Sequence, residues 1–206
     1  MDVLRINLGD CESRMDQQEW DEFIDTSIAN VRRHAGYFSW LSDRDIEEVG
    51  VVKSFQESLT HDGRSFFHSM HSRGRGNDPP DCEARLCAGG RVGIEVTELV
   101  DGQSIIAAKT GGQTPWEPFS KNQLLGLLTD RIKKKDNPIK VKGDPYEVYL
   151  LLIYCDEPRV LDYNLIKAIE GCTFPSTMLI DRVFVLFSYS PWEKRCPYVE
   201  LTLSAD

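Results

Sequence analysis

The chain has 206 residues, 41% of them hydrophobic and 28% charged, which is typical of a soluble globular protein that can bury a sizeable core. The net charge of −9 argues against a protein that only coats nucleic acid, and no apolar run reaches the roughly 18 residues of a membrane helix. The first residues do not form a secretory signal, and the six cysteines without CxxC spacing are typical of reduced thiols, so we expect a cytoplasmic protein that does not bind membranes.

The first third of the chain is predicted to be mostly helical. One helix is expected from about Asp16 to His34, and a second begins after Asp43, a favourable N-cap, and ends near Leu59. The segment His61–Pro80 is rich in Gly, Ser, Arg and Asp, which predicts a loop or flap.

The middle of the chain predicts a β-hairpin. The strands Asp81–Cys87 and Val92–Leu99 alternate polar and apolar residues and are joined by a Gly-Gly turn. An irregular stretch around residues 111–118 precedes a helix from about Phe119 to Lys135. The apolar run Val148–Tyr154 is typical of a strand that is covered on both faces. The remaining predicted elements are a short helix, Tyr163–Glu170, and two strands, Val183–Ser188 and Tyr198–Leu203.

These elements predict one α/β domain over residues 1–206, with a mixed sheet flanked by helices. Its expected parts are an N-terminal helical extension (1–40), a core (43–156) and a C-terminal helix with strands (157–206).

Two carboxylates of the hairpin are candidate metal ligands. Alternation with a period of two places Asp81 and Glu95 on the side away from the apolar residues of their strands. Adjacent strands lie about 4.8 Å apart, so both carboxylates can converge on one cation, and the backbone carbonyl of Val96 could add a third oxygen. Such hard oxygen ligands suit Mg²⁺ or Mn²⁺. Acidic residues are also common on half-exposed strands that bind no metal, so a plain surface is the alternative.

A longer motif surrounds these carboxylates. Residues 77–81 read Asn-Asp-Pro-Pro-Asp, and residues 90–99 read Gly-Arg-Val-Gly-Ile-Glu-Val-Thr-Glu-Leu. This resembles the signature of the PD-(D/E)XK, or restriction-endonuclease-like, nuclease superfamily, with Pro80-Asp81 as the PD and Glu95-Val96-Thr97 in place of (D/E)XK. The resemblance extends over roughly residues 43–156. It implies a three-layer fold, metal ligation by Asp81 and Glu95, Mg²⁺-dependent hydrolysis of DNA, a bacterial setting and, as in many relatives, a homodimer.

The motif departs from the superfamily at Thr97, where a lysine is expected. That lysine helps to activate water and offsets charge on the phosphate, and superfamily members are known to move it to a neighbouring helix. At 100° per residue, Lys135 falls on the apolar stripe of the helix that starts near Phe119, whereas Lys134 points elsewhere. We therefore predict that Lys135 supplies the charge, with Lys121 as a second candidate. Alternatively, Lys135 extends from the end of a core-facing stripe into solvent.

The helix that begins after Asp43 carries a third candidate. Glu48 lies in the middle of its apolar face, whereas Glu47 lies at the margin. An inward carboxylate is costly unless a cation or hydrogen-bond donors meet it. Superfamily members often use a glutamate from this helix in or near the metal shell. We predict that Glu48 helps to hold the metal or a water molecule.

Basic residues could contact the substrate: Arg73, Arg75, Lys121 and Lys134. Solvated surface charges are the alternative explanation for them. Together, the residues and the resemblance predict metal-dependent phosphodiester hydrolysis of nucleic acid, with DNA as the expected substrate. One alternative is the same fold retained as a non-catalytic binding module, which would agree with Thr97 and the acidic charge. The other is an unrelated α/β domain.

Overall fold

A six-stranded mixed sheet is the centre of the computed structural model, which describes residues 44–99, 118–155, 160 and 162–205. Its strands are β1 (Phe67–Ser72), β2 (Cys82–Leu86), β3 (Arg91–Glu98), β4 (Val148–Cys155), β5 (Arg182–Phe187) and β6 (Tyr198–Leu201). They lie in chain order; β3, β4 and β5 run parallel and the other neighbours antiparallel.

Three α-helices accompany the sheet within the described ranges: α1 (Arg44–His61), α2 (Lys121–Lys135) and α3 (Asp162–Ile169). Short 3₁₀ helices occur at Arg75–Asn77 and Pro138–Lys140. None of the helices in these ranges has the length and apolar character that crossing a membrane requires.

The sheet buries a separate core on each face. Leu150 and Leu152 of β4 face a cluster that contains Phe55 of α1. Leu151 and Ile153 of the same strand face a second cluster, to which α2 and α3 contribute apolar side chains. Successive strand residues point to opposite faces, so the layers are α1, the sheet, and α2 with α3.

Helix α2 is fixed at both of its ends. Ser120 and Gln123 form a reciprocal capping box, in which the Ser120 side chain accepts from the Gln123 N–H and the Gln123 side chain accepts from the Ser120 N–H. Just beyond its last residue, Lys135, the Asp136 carboxylate accepts backbone N–H groups of Met178 and Leu179 at 2.8–3.1 Å. These bonds hold the last turn of α2 against the segment that leads into β5.

Most of the predicted elements in the described ranges are confirmed. Strands β2 and β3 form the antiparallel hairpin, and its turn contains Gly89 and Gly90, with φ of +91° and +105°. Strand β4 lies inside the sheet between β3 and β5, as its apolar run predicts. The predicted α/β class and mixed sheet are present. The predicted helix at residues 16–34, the Asp43 cap and the irregular stretch at 111–118 lie outside the described residues.

The prediction of a loop over His61–Pro80 is wrong in part, because this segment contains strand β1. Among the described residues, β1 lies at the edge of the sheet and pairs with β2 alone, and this pairing shifts between His68 and His71. Of its side chains Phe67 is buried, whereas His68, Ser69 and His71 are exposed. An edge strand with one exposed face is rich in polar residues, so its composition is similar to that of a loop.

We expect Leu128→Ala to lower the free energy of unfolding by about 2–5 kcal/mol, because it leaves a cavity under the middle of α2. Leu128 is fully buried in the cluster between α2 and the sheet. The matched control is Ile139→Ala, since Ile139 is 94% exposed and its removal should change stability little. Urea unfolding of both variants measures the difference, and equal losses would contradict this packing of α2.

Candidate metal centre

Three carboxylates meet where strands β2 and β3 pair. Asp78, Asp81 and Glu95 each offer one oxygen, and these oxygens lie within 4.8 Å of one another. Asp81 and Glu95 are each 4% exposed, and Asp78 is partly buried. Cys82 pairs with Ile94, so Asp81, immediately before β2, reaches the part of β3 that carries Glu95. The structure thus brings together the two carboxylates that strand alternation selects.

The backbone of β3 holds the Asp81 carboxylate. The Val96 N–H donates a hydrogen bond of 2.6 Å to Asp81 Oδ2. The contact between these two residues therefore uses the amide of Val96. Metal ligation by its carbonyl oxygen stays a prediction.

Burial raises the pKa of Asp81 to about 8, and the neighbouring negative charges of Glu95 and Glu48 add to this effect. The Val96 N–H and the Lys135 ammonium act in the opposite direction. The pKa of the Asp81 carboxyl therefore lies well above its ordinary value, in the direction that favours the protonated form. Binding of a divalent cation would favour the ionised form.

Lys135 brings a positive charge to the cluster from the last turn of α2. Its Nζ donates to Glu95 Oε1 and forms an ion pair with it. Lys134 is exposed, and Lys121, also exposed, is the first residue of the helix, roughly 20 Å away along its axis. Of Lys121, Lys134 and Lys135, the last is the one that contacts the carboxylates.

Tyr149 of β4 contacts the other oxygen of the same carboxylate. Its hydroxyl donates to Glu95 Oε2 at 3.3 Å, and its side chain belongs to the core under α2. Burial, followed by the charge of Glu95, raises the pKa of Tyr149 well above its usual value. The hydroxyl therefore keeps its proton and acts as a donor.

Asp78 and Tyr149 are not among the site residues that the sequence predicts. Asp78 could have been noticed, since it begins the Asp-Pro-Pro-Asp segment that contains the proposed PD. Tyr149 carries no such signal, because it lies in an apolar run that predicts only a buried strand. Its proximity to Glu95 depends on the parallel pairing of β3 with β4, which places Tyr149 opposite Gly93.

Glu48 is buried on α1, and its charge contributes to the raised pKa of Asp81. Its carboxylate is not one of the three whose oxygens lie within 4.8 Å of each other. Glu47 is as buried as Glu48, at 6% and 5% exposed, so the expectation that it lies at the margin is wrong. The buried face of α1 also includes Ser54 and Ser58 and is therefore wider than its apolar residues indicate.

A second charged cluster lies beside the first, and in it a glutamate is paired with an arginine. The Arg91 guanidinium donates to both Glu83 oxygens at 2.9 and 2.7 Å and lies 4.5 Å from the centre of the Tyr146 ring. The Tyr146 hydroxyl donates to the same Glu83 carboxylate at 3.3 Å. The Arg91 hydrogen bond is the main reason that the pKa of Glu83 lies below its ordinary value. Glu83 therefore belongs to an ion pair beside the metal candidate.

Arg73 supports the loop that carries Asp78. Its Nη1 donates to the Pro79 carbonyl at 3.3 Å, and its side chain is 11% exposed. The Asn77 side chain donates to the Arg73 carbonyl at 3.0 Å, which closes the loop further. Substrate contact by Arg73 stays a prediction, and the contacts that the structure provides for it are internal. The Arg75 side chain lies outside the described part of the structure.

The donor set fits a small, hard divalent cation. Carboxylate oxygens are the ligands that Mg²⁺ and Mn²⁺ prefer, and three of them are close enough here to share one ion. Comparisons of the chain with family models, with curated proteins and with solved structures give no match. The case for a metal centre therefore depends on the residues themselves and their geometry.

We expect metal-free protein to lose stability as the pH rises from about 5 to about 8. The Asp81 carboxyl has a pKa of about 8 in the folded state and an ordinary value of 3.8. Between these values the unfolded chain binds fewer protons than the folded protein, so the free energy of unfolding falls with increasing pH. Asp81→Asn removes this titration. In urea unfolding with EDTA present, its free energy of unfolding should therefore fall less with increasing pH than that of wild type.

Asp130→Asn is the control, because Asp130 is exposed on α2. This substitution should leave the dependence of the free energy of unfolding on pH as it is in wild type. Identical slopes for wild type and Asp81→Asn would show that Asp81 is ionised throughout this pH range.

Proposed function

We propose that this chain is a Mg²⁺- or Mn²⁺-dependent nuclease of the PD-(D/E)XK type, which hydrolyses phosphodiester bonds in DNA. One observation carries the proposal. The Lys135 ammonium contacts Glu95 in a motif where Thr97 replaces the expected lysine. A cation contributed by a neighbouring helix is what such a motif needs in order to be active.

The order of elements supports a restriction-endonuclease-like fold. A helix, α1, precedes the hairpin of β2 and β3, and helix α2 and the buried strand β4 follow it. This is the order that the resemblance implies for residues 43–156. The layering of α1 on one face and α2 with α3 on the other agrees with a three-layer domain.

Each residue of the centre has a proposed role. Asp81 and Glu95 would hold the cation, Asp78 would add a third carboxylate, and Glu48 would act from α1 on Asp81 or on a water molecule. A divalent cation bound there would polarise the phosphate and lower the pKa of a water molecule. Lys135 would offset the negative charge that grows on the phosphate during attack.

The exposed lysines of α2 are suited to substrate contact. Lys134 and Lys121 are both exposed, so their charges are available to the phosphates of a bound strand. Contacts to phosphates do not depend on the base sequence of the DNA, so these lysines would position a strand without selecting its sequence.

Glu95→Gln should abolish Mn²⁺ and Mg²⁺ binding measured by calorimetry, because an amide supplies no negative charge to the cation. The control is Glu98→Gln, since Glu98 lies on the same strand but outside the group of three carboxylates. Wild-type affinity in Glu95→Gln would exclude this metal centre.

Lys135→Ala should lower the rate of DNA cleavage by about 100-fold or more, as the loss of comparable transition-state stabilisers does. The assay uses purified protein with plasmid and single-stranded DNA, with Mg²⁺ or Mn²⁺ at one fixed salt concentration. Metal affinity should survive, because lysine is not a ligand of hard cations and the Tyr149 hydroxyl still donates to Glu95. Lys134→Ala is the matched control and should lose little more than one phosphate contact.

Equal, small losses in Lys135→Ala and Lys134→Ala would contradict the role of Lys135. The alternative function is a non-catalytic binding module on the same fold, which Thr97 and the net charge of −9 favour. Wild-type protein that binds metal and DNA but cleaves neither substrate would establish that alternative.

A further inference from the structure

Hydrogen-bond donors from two different elements hold the Glu95 carboxylate. Lys135 of α2 donates to Oε1, and the Tyr149 hydroxyl of β4 donates to Oε2 at 3.3 Å. Glu95 is 4% exposed and Tyr149 is 2% exposed, so water competes little for these bonds. The terminal torsion of a glutamate is broad and needs such partners to have one orientation.

The position of the Tyr149 ring is determined by close packing. A Cβ atom at Gly93 would lie 3.0 Å from Tyr149 Cδ2 and 3.1 Å from Pro80 Cγ and from a ring carbon of Tyr146. The rings of Tyr149 and Tyr146 also meet edge to face, with centroids 6.0 Å apart. The Tyr149 ring therefore occupies the space above Gly93, beside the residue that precedes Asp81.

The backbone of Tyr149 is fixed as well. Its N–H donates to the Asp181 carboxylate at 2.6 Å, and its carbonyl accepts from the Asp181 N–H at 2.8 Å. Gly93 and Glu95 lie two residues apart and so share one face of β3. The ring packed over Gly93 consequently directs its hydroxyl along the strand to Glu95.

We propose that Tyr149 is a positioning residue of the metal centre, whose hydroxyl orients the Glu95 carboxylate toward Asp81 and Asp78. This inference rests on the proposed metal-dependent function. Without the hydroxyl, the carboxylate is free to turn toward Lys135, and its alignment with the other carboxylates is lost. Hydrogen-bond partners behind a metal ligand typically change metal affinity by about 10–100-fold.

The test is Tyr149→Phe, which keeps the ring and removes the hydroxyl. Calorimetric titration with Mn²⁺ should show affinity about tenfold or more below that of wild type. Tyr146→Phe is the matched control, because the Tyr146 hydroxyl also donates to a glutamate at 3.3 Å, but to Glu83, outside the three carboxylates. Its Mn²⁺ affinity should equal that of wild type.

A second readout separates positioning from a general structural effect. The Mn²⁺ concentration that gives half-maximal cleavage should rise in Tyr149→Phe, while the rate at saturating Mn²⁺ stays near that of wild type. The thermal midpoint of the metal-free variant should also stay close to wild type, because the packed ring is retained.

The possible results separate this inference from the proposed function. Wild-type Mn²⁺ affinity in Tyr149→Phe, together with lost affinity in Glu95→Gln, would overturn the inference and leave the metal centre in place. Equal weakening in Tyr149→Phe and Tyr146→Phe would also overturn it, because the effect would then not depend on the hydrogen bond to Glu95. Wild-type protein that binds no Mn²⁺ would overturn both.

Discussion

The burial of neighbouring carboxyl groups beside strand β3 is the constraint on which this structure depends. Asp81 and Glu95 are almost fully buried, and Asp78 brings a third carboxylate within 4.8 Å. Buried charges are costly unless opposite charges or donors meet them. The Lys135 ammonium and the Tyr149 hydroxyl donate to Glu95, and the Val96 N–H donates to Asp81. The remaining cost appears as the raised pKa of Asp81, about 8. A divalent cation would complete the balance of charge.

The architecture explains why a helix, and not the motif itself, supplies the positive charge. Strands β3 and β4 are parallel, so the chain must cross over between them, and α2 lies on this crossover. Its apolar stripe packs on the sheet, and Lys135, at the end of that stripe, comes beside Glu95. The Asp136 hydrogen bonds hold that last turn in place. A threonine at position 97 can therefore coexist with a lysine at the centre.

Two neighbouring carboxylates of the hairpin show how local the charge imbalance is. Glu83 is matched by the Arg91 guanidinium, and its pKa is lowered. Asp81, two residues earlier, is buried near the negative charges of Glu95 and Glu48, and its pKa is raised. The side chains of one short segment thus include a glutamate paired with an arginine and an aspartate whose carboxylate neighbours outweigh the nearby Lys135 charge. That difference distinguishes the ion-paired Glu83 from Asp81, the candidate metal ligand, and composition alone does not reveal it.

The sequence by itself determined the features that depend on local periodicity. Alternation along residues 81–87 and 92–99 places Asp81 and Glu95 on the side away from the apolar residues, and the helical stripe of α2 selects Lys135 over Lys134. The tertiary structure alone decided the rest: the edge strand β1, the burial of Glu47, the approach of Asp78 and the contact of Tyr149 with Glu95. Periodicity reports which face of an element a residue occupies. The register between β3 and β4 and the path of the loop that carries Asp78 depend on packing between residues that are distant in the chain, which no local pattern records.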